Sequence, residues 1–134
     1  MPNVFLKIFF LILVLPVFAF AQNPTRWSLE SGAKGKSLKQ GEKFKAALLA
    51  EIEDGWHLYA LEQPEGGPIP TTVKVNESVP FIIEGKVTTP APVTKFDPNF
   101  NIDTKFFEKQ AQFNLPLQAS ADTKTDDLAI NVRF

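Results

Sequence analysis

The residues that most restrict the fold lie between Asp54 and Val75, in the stretch DGWHLYALEQPEGGPIPTTVKV. Proline lacks an amide hydrogen and fixes φ, so the segment Pro64–Pro70 cannot belong to a helix or to a central strand. Apolar residues flank this segment on both sides, with Trp56–Leu61 before it and Thr71–Val75 after it. The order of apolar run, rigid loop and apolar run therefore predicts two strands joined by a fixed loop.

Between Phe44 and Glu53, apolar residues recur at every second position, which places them on one face of an extended strand. The same segment also fits a helix, because some of these residues are four positions apart and its Ala, Lys, Leu and Glu residues favour helix. The dipeptide Asp54-Gly55, which is typical of a tight turn between paired strands, follows directly. We therefore predict that this segment forms a hairpin with Trp56–Leu61, a pairing that favours the strand.

The rest of the chain predicts further short strands separated by turns. We expect Phe81–Ile83 to pair with Val87 around Glu84-Gly85, Thr89–Phe100 to be an extended or irregular connection, and Ala119–Asp127 to be a polar hairpin loop. Seven or eight short strands with turn signals about every ten residues are typical of a sandwich. The predicted fold class is all-β, a single-domain immunoglobulin-like antiparallel β-sandwich. Its remaining strands are expected around Trp27 and Leu29, at Phe106-Phe107, at Phe113–Leu117 and at Leu128–Phe134.

The first 21 residues have the pattern of a secretory signal peptide. Lys7 precedes the apolar run Ile8–Phe20, and Ala19-Phe20-Ala21 has small residues at the positions that a signal peptidase reads. This run has about 13 residues, whereas a membrane-spanning helix needs about 20. We predict a signal peptide at 1–21, a mature domain at 22–134 that does not span a membrane, and a periplasmic or secreted location. The alternative is an uncleaved amino-terminal anchor.

Charge and residue types restrict the chemistry of the mature domain. The whole chain has 14 Lys and Arg residues and 15 Asp and Glu residues, and all of them except Lys7 lie in the mature domain. These charges are scattered, and no basic cluster indicates binding to nucleic acid. The chain has no cysteine, so it cannot perform thiol chemistry, and with a single histidine it lacks the usual zinc ligands. We therefore predict no catalytic residue, no metal site and no cofactor within this chain. The histidine, His57, is expected to be a half-exposed strand residue rather than a ligand.

Two motifs carry a resemblance to a known family. GWHLY at 55–59, GGPIP at 66–70 and the later segment FDPNFNIDTKFFEKQAQFNLPLQAS resemble the amino-terminal periplasmic domain of the thiol:disulfide interchange protein DsbD, also called the disulfide bond corrector family. The resemblance extends from about Trp27 to Phe134. It implies an immunoglobulin-like sandwich that faces the periplasm.

The resemblance also implies a redox pathway. Family members carry a cysteine pair just after the strand that Leu128–Phe134 resembles. This pair receives electrons from a thioredoxin-like domain and passes them to periplasmic disulfide isomerases and cytochrome c maturation proteins. In this chain the match stops at Phe134, immediately before the expected cysteines. Two hypotheses follow: a fragment of a cysteine-containing relay, truncated at its carboxyl end, or a cysteine-free immunoglobulin-like periplasmic module for binding or structure. Whether the natural protein is an enzyme stays open.

The resemblance also supplies candidate site residues. Asp97 and Phe100 lie in the segment that resembles the family's cap loop, where an aromatic residue covers the cysteine pair until a partner docks. The alternative is that Phe100 anchors a long loop on the core. A second candidate is a recognition loop, whose proline residues would lower the entropy cost of binding; the alternative is a rigid crossover between two sheets. Its residues are Gly66, Gly67, Pro68 and Pro70.

Overall fold

A computed structural model describes residues 23–127 and 130–133 of the chain. This part contains eleven β-strands, and its one helical element is a single turn of 3₁₀ helix at Thr125–Asp127. The strands are β1 Thr25–Ser31, β2 Ser37–Leu38, β3 Lys43–Ile52, β4 Leu58–Tyr59, β5 Thr72–Val75, β6 Phe81–Ile83, β7 Val93–Asp97, β8 Ile102–Phe107, β9 Gln110–Ala119, β10 Thr123–Lys124 and β11 Ile130–Arg133.

All strand pairs are antiparallel. One sheet has four strands in the order β1-β3-β9-β6, and a second has three strands in the order β4-β8-β7. Two smaller sheets pair β10 with β2 and β11 with β5. The fold is therefore an all-β immunoglobulin-like antiparallel sandwich, which confirms the predicted fold class.

The core lies on the inner face of the long β3–β9 pair. The two strands are in register from Lys43↔Gln118 to Glu51↔Gln110. Alternation along β3 buries every second residue from Ala46 to Ile52, which confirms the strand and excludes the helix for this segment. From β9, the side chain of Phe113 is completely buried. Its ring lies 6.2 Å from that of Phe107 in the three-stranded sheet, so the aromatic contact joins the two layers.

The predicted hairpin of β3 with the following strand is wrong. The turn at Asp54-Gly55 exists, and Gly55 has the positive φ of 83° that suits glycine. However, β3 is already paired with β1 along one edge and with β9 along the other. Since no edge of β3 remains free, the chain crosses to the other layer, where β4 pairs with β8.

Three other connections also differ from the prediction. Val87 does not pair with Phe81–Ile83; β6 pairs with β9, and Thr88 bridges Asn114 farther along the same strand. Within the predicted connection Thr89–Phe100, β7 pairs with β8, because the flanking prolines stand outside the strand and remove none of its hydrogen bonds. Within Ala119–Asp127, β10 pairs with β2.

The predicted signal peptide, 1–21, lies outside the described residues. In the described part of the chain, no helix has the length and hydrophobicity that crossing a membrane requires.

The buried position of Phe113 generates the first testable prediction. Phe113→Ala should lower the free energy of unfolding by about 3–5 kcal/mol, because it leaves a cavity between the two layers. The measurement is equilibrium denaturation by urea. Phe96→Ala is the matched control, since Phe96 is 54% exposed and its removal should cost less than about 1 kcal/mol. Equal losses from the two substitutions would contradict the assigned core.

Candidate functional site

The turn between β7 and β8 contains the first pair of candidate residues. We call residues 97–101 the cap turn. The main-chain oxygen of Asp97 accepts hydrogen bonds from the amides of Phe100, at 3.3 Å, and Asn101, at 2.8 Å. The carboxylate of Asp97 also accepts a hydrogen bond from the amide of Asn99, at 2.9 Å. Asn101 has a φ of 57°, which asparagine tolerates better than most residues. The cap turn is thus held by its own hydrogen bonds, all of which end on Asp97.

The cap turn presents an aromatic ring to solvent. Phe100 is 38% exposed, so its ring is partly buried and partly accessible. Large apolar side chains contribute binding energy where they lose contact with water on docking. The position of Phe100 at the tip of a self-supported turn is therefore suited to contact with another surface.

Tyr59 of β4 connects the cap turn to the three-stranded sheet. Its hydroxyl lies 3.4 Å from the carboxylate of Asp97, to which it donates a long hydrogen bond. The His57 ring packs between two aromatic rings, 4.9 Å from Tyr59 and 5.0 Å from Phe106. Burial raises the pKa of the Tyr59 hydroxyl, and the negative charge of Asp97 and the hydrogen bond to it raise that pKa further. Tyr59 therefore stays protonated at neutral pH and can donate to the carboxylate.

The second candidate loop is closed at its base by hydrogen bonds. We call residues 64–70 the Gly-Pro loop. The buried Thr71 donates from its hydroxyl to the carbonyl of Tyr59, at 2.6 Å, and from its amide to the carbonyl of Ala60, at 3.2 Å. On the other side, the side-chain amide of Gln63 pairs with both the N–H and the C=O of Lys105 in β8. These contacts anchor both ends of the Gly-Pro loop to β4 and β8.

Within this loop, Gly67 marks a close approach to β8. A Cβ at this position would lie 3.0 Å from the carbonyl oxygen of Pro64 and 3.3 Å from the side chain of Ile102. Pro68 is buried, whereas Ile69 is 73% exposed. The Gly-Pro loop therefore lies against the first residue of β8 and projects one isoleucine outward.

The structure brings the two predicted sets of site residues together. Ile102, which Gly67 approaches, pairs with Asp97 at the base of the cap turn. Gly66, with a φ of 78°, turns the chain immediately before this contact, and Pro70 is half-buried after it. The Gly-Pro loop and the cap turn are thus neighbours on one strand, although about 30 residues separate them in the sequence.

The last described strand ends beside the same site. In β11, Arg133 pairs with Thr72, the first residue of β5. Thr72 follows Thr71, whose hydroxyl binds the Tyr59 carbonyl. The carboxyl end of β11 therefore lies next to β5, and the residue before β5 binds Tyr59.

Sequence reasoning missed part of this site. It did not identify Tyr59, because nothing local connects that residue with Asp97, 38 positions away. It also gave no reason to expect that Trp56 is 46% exposed. The sequence did not predict the hydrogen bonds of Gln63, since an isolated glutamine before a loop has no typical function. The chemistry within reach of the site is hydrogen bonding and apolar contact, and no group of three or more His, Cys, Asp or Glu residues in the described ranges is arranged to hold a metal ion.

The sequence of the chain matches a known protein family. The family model described as "thiol:disulfide interchange protein DsbD, N-terminal" matches residues 28–134, which is most of the chain. No curated protein and no solved structure gives a significant match.

The contact between Tyr59 and Asp97 generates the second prediction. Tyr59 is the single tyrosine of the chain, so ultraviolet absorbance of tyrosinate reports its titration alone. We expect its pKa to lie above the ordinary value of 10.0. Asp97→Asn should lower it, but it should stay above the ordinary value because burial is the larger cause. Since the folded chain holds this proton more tightly than the unfolded chain, stability should fall as pH rises through this range.

The control for this titration is Asp103→Asn, which neutralises an exposed carboxylate on β8 that does not bind Tyr59. It should leave the titration of Tyr59 close to that of the native chain. An unchanged titration in Asp97→Asn would show that the two side chains do not interact in solution.

Proposed function

The chain belongs to the family of amino-terminal domains of the thiol:disulfide interchange protein DsbD, and from this premise we propose that its cap turn and Gly-Pro loop form the docking surface of a thiol:disulfide interchange module. One observation carries the proposal: two loops distant in sequence meet at Gly67 and Ile102, beside the Tyr59–Asp97 pair. Both loops expose an apolar side chain, Ile69 in one and Phe100 in the other.

Binding rather than electron transfer is the contribution of this chain. Thiol–disulfide exchange requires a thiolate that attacks a disulfide sulfur, and the chain contains no cysteine. The redox cysteines of the relay must therefore belong to another polypeptide or to sequence beyond Phe134. The geometry supports the second source, because residues that continue from β11 would leave it beside Thr72 and Tyr59.

The partners that we propose are periplasmic thioredoxin-like proteins and disulfide isomerases. The family takes part in thiol:disulfide interchange and is periplasmic in general, which agrees with the predicted signal peptide. Docking of such a partner would cost little conformational entropy, because hydrogen bonds hold the cap turn and proline residues restrict the Gly-Pro loop. Docking of cytochrome c maturation proteins would use the same surface.

A second candidate function rests on the absence of cysteine from this sequence. A cysteine-free relative would use the same immunoglobulin-like scaffold only to bind a protein or to support a structure in the periplasm. The two candidates share the docking surface and differ in whether a redox pair accompanies it.

Titration with a partner tests the docking surface. We expect a purified periplasmic thioredoxin-like protein, added to the ¹⁵N-labelled chain, to shift amide resonances of the cap turn and the Gly-Pro loop. Phe100→Ala should weaken binding by about tenfold or more, because it removes an exposed aromatic anchor. Ile82→Ala is the matched control, since Ile82 is 48% exposed and lies on the other sheet. Shifts confined to other surfaces, or unchanged binding by Phe100→Ala, would reject the proposal.

Sequencing of the gene distinguishes the two candidates. The redox-module proposal expects the reading frame to continue past the codon for Phe134 into two cysteine codons a few residues apart. A stop codon immediately after Phe134, together with partner binding by the purified chain, would favour the cysteine-free module instead.

A further inference from the structure

A tryptophan side chain is exposed to solvent at the end of β8 that lies opposite the cap turn. Trp56 lies in the turn between β3 and β4, and its side chain is 46% exposed. The turn is closed by a hydrogen bond from the Trp56 amide to the carbonyl of Glu53, at 3.1 Å. Trp27, in contrast, is half-buried and packs 6.0 Å from the ring of Phe113. The fold therefore uses one indole for its core and leaves the other accessible.

Trp56 lines a cavity. The cavity has a volume of about 220 Å³ and lies between the β3–β4 turn and the β8–β9 turn, which contains Glu108 and Lys109. A hydrogen bond of 2.7 Å from the Ile52 amide to the Lys109 carbonyl holds the two turns together. His57, whose ring contacts two other aromatic rings, also lines the cavity. The cavity is thus formed by anchored segments.

The charges around the indole indicate the kind of occupant. Glu53, Asp54 and Glu108 line the cavity with Lys109, so negative charge is in excess. None of the ion pairs among the described residues includes any of these four side chains. The face of an indole ring attracts cations, and nearby carboxylates add to this attraction. The cavity is therefore complementary to a cation, because a tryptophan and carboxylates that form no ion pair line it together.

We propose that this cavity is a docking site for an arginine side chain of a partner protein. A guanidinium group is planar, so it stacks on an indole face, and its fork of N–H donors binds a carboxylate through two hydrogen bonds. A lysine ammonium has the same charge but neither the stacking plane nor the fork. The combination of Trp56 with carboxylates on both turns therefore favours arginine over lysine.

This docking site is distinct from the cap turn. Ile102, at one end of β8, pairs with Asp97 of the cap turn, whereas Phe107, at the other end, precedes the turn that lines the cavity. The five steps of extended strand from Ile102 to Phe107 cover about 17 Å. The two sites therefore lie at opposite ends of β8, although the His57 ring contacts Tyr59, whose hydroxyl binds Asp97. The arginine site rests on the charges and the indole around the cavity and not on the proposed redox function, so either can fail without the other.

The experiment uses a short peptide as the probe. Acetyl-Gly-Arg-Gly-amide is titrated into the ¹⁵N-labelled chain, and the indole N–H of Trp56 is followed by NMR. We expect this resonance to shift in a saturable way and the shift to weaken at high ionic strength. The same peptide with citrulline, which keeps the shape of arginine without its charge, should bind at least fivefold more weakly. The two tryptophan resonances are assigned with Trp56→Phe.

Variants of the cavity complete the test. Trp56→Leu and Glu108→Gln should each weaken binding of the arginine peptide several-fold, while Asp103→Asn, an exposed carboxylate outside the cavity, should not. Lys109→Gln should strengthen binding, because it removes a positive charge from the cavity. Thermal unfolding verifies that each variant is folded. The proposal is overturned if the citrulline peptide binds equally well, if Trp56→Leu binds like the native chain, or if the peptide binds only after Lys109→Gln.

Discussion

The antiparallel pairing of β3 with β9 is the constraint on which the other elements depend. These ten-residue strands lie side by side, and their inner faces supply most of the buried side chains of the main core cluster. Because β1 and β9 occupy both edges of β3, the strand that follows it must join the opposite layer. That transfer places β4 against β8 and brings Tyr59 to the base of the candidate site. The position of the site is therefore a consequence of sheet topology.

Within the opposite layer, β8 acts as the common support. Along it, Ile102 contacts the Gly-Pro loop, Lys105 binds the amide of Gln63, and Phe106 pairs with Tyr59. These contacts connect the Gly-Pro loop, the residue before it and strand β4 to β8, and β8 itself contributes residues to the core. Support of this kind restricts the loops that carry the exposed Phe100 and Ile69, which would lower the entropic cost of the proposed docking.

The sequence predicted elements with a local signal and missed relations between distant residues. Alternating apolar residues identified β3 and β9, because a buried face imposes a period of two. The Gly-Pro loop was predicted from its proline and glycine residues, and the cap turn from the resemblance of the segment that holds Asp97 and Phe100. The hairpin of β3 with β4 was wrong because a turn dipeptide determines where the chain reverses but not which strand it then pairs with. The hydrogen bond between Tyr59 and Asp97 could not be predicted, since it depends on pairings across three strands.

The absence of cysteine and the proposed docking surface are compatible, because binding and electron transfer make different physical demands. Exchange between thiols and disulfides needs a thiolate that attacks a disulfide, and the cysteine residues for it can belong to another polypeptide. Recognition needs a surface of fixed shape, and the proposed docking surface consists of the self-bonded cap turn and a loop closed through Thr71. The proposed docking surface therefore depends on the sandwich and not on a cysteine in it. The protonated Tyr59 beside Asp97 then acts as a neutral hydrogen-bond donor, which connects the cap turn to the sheet whichever polypeptide supplies the sulfur.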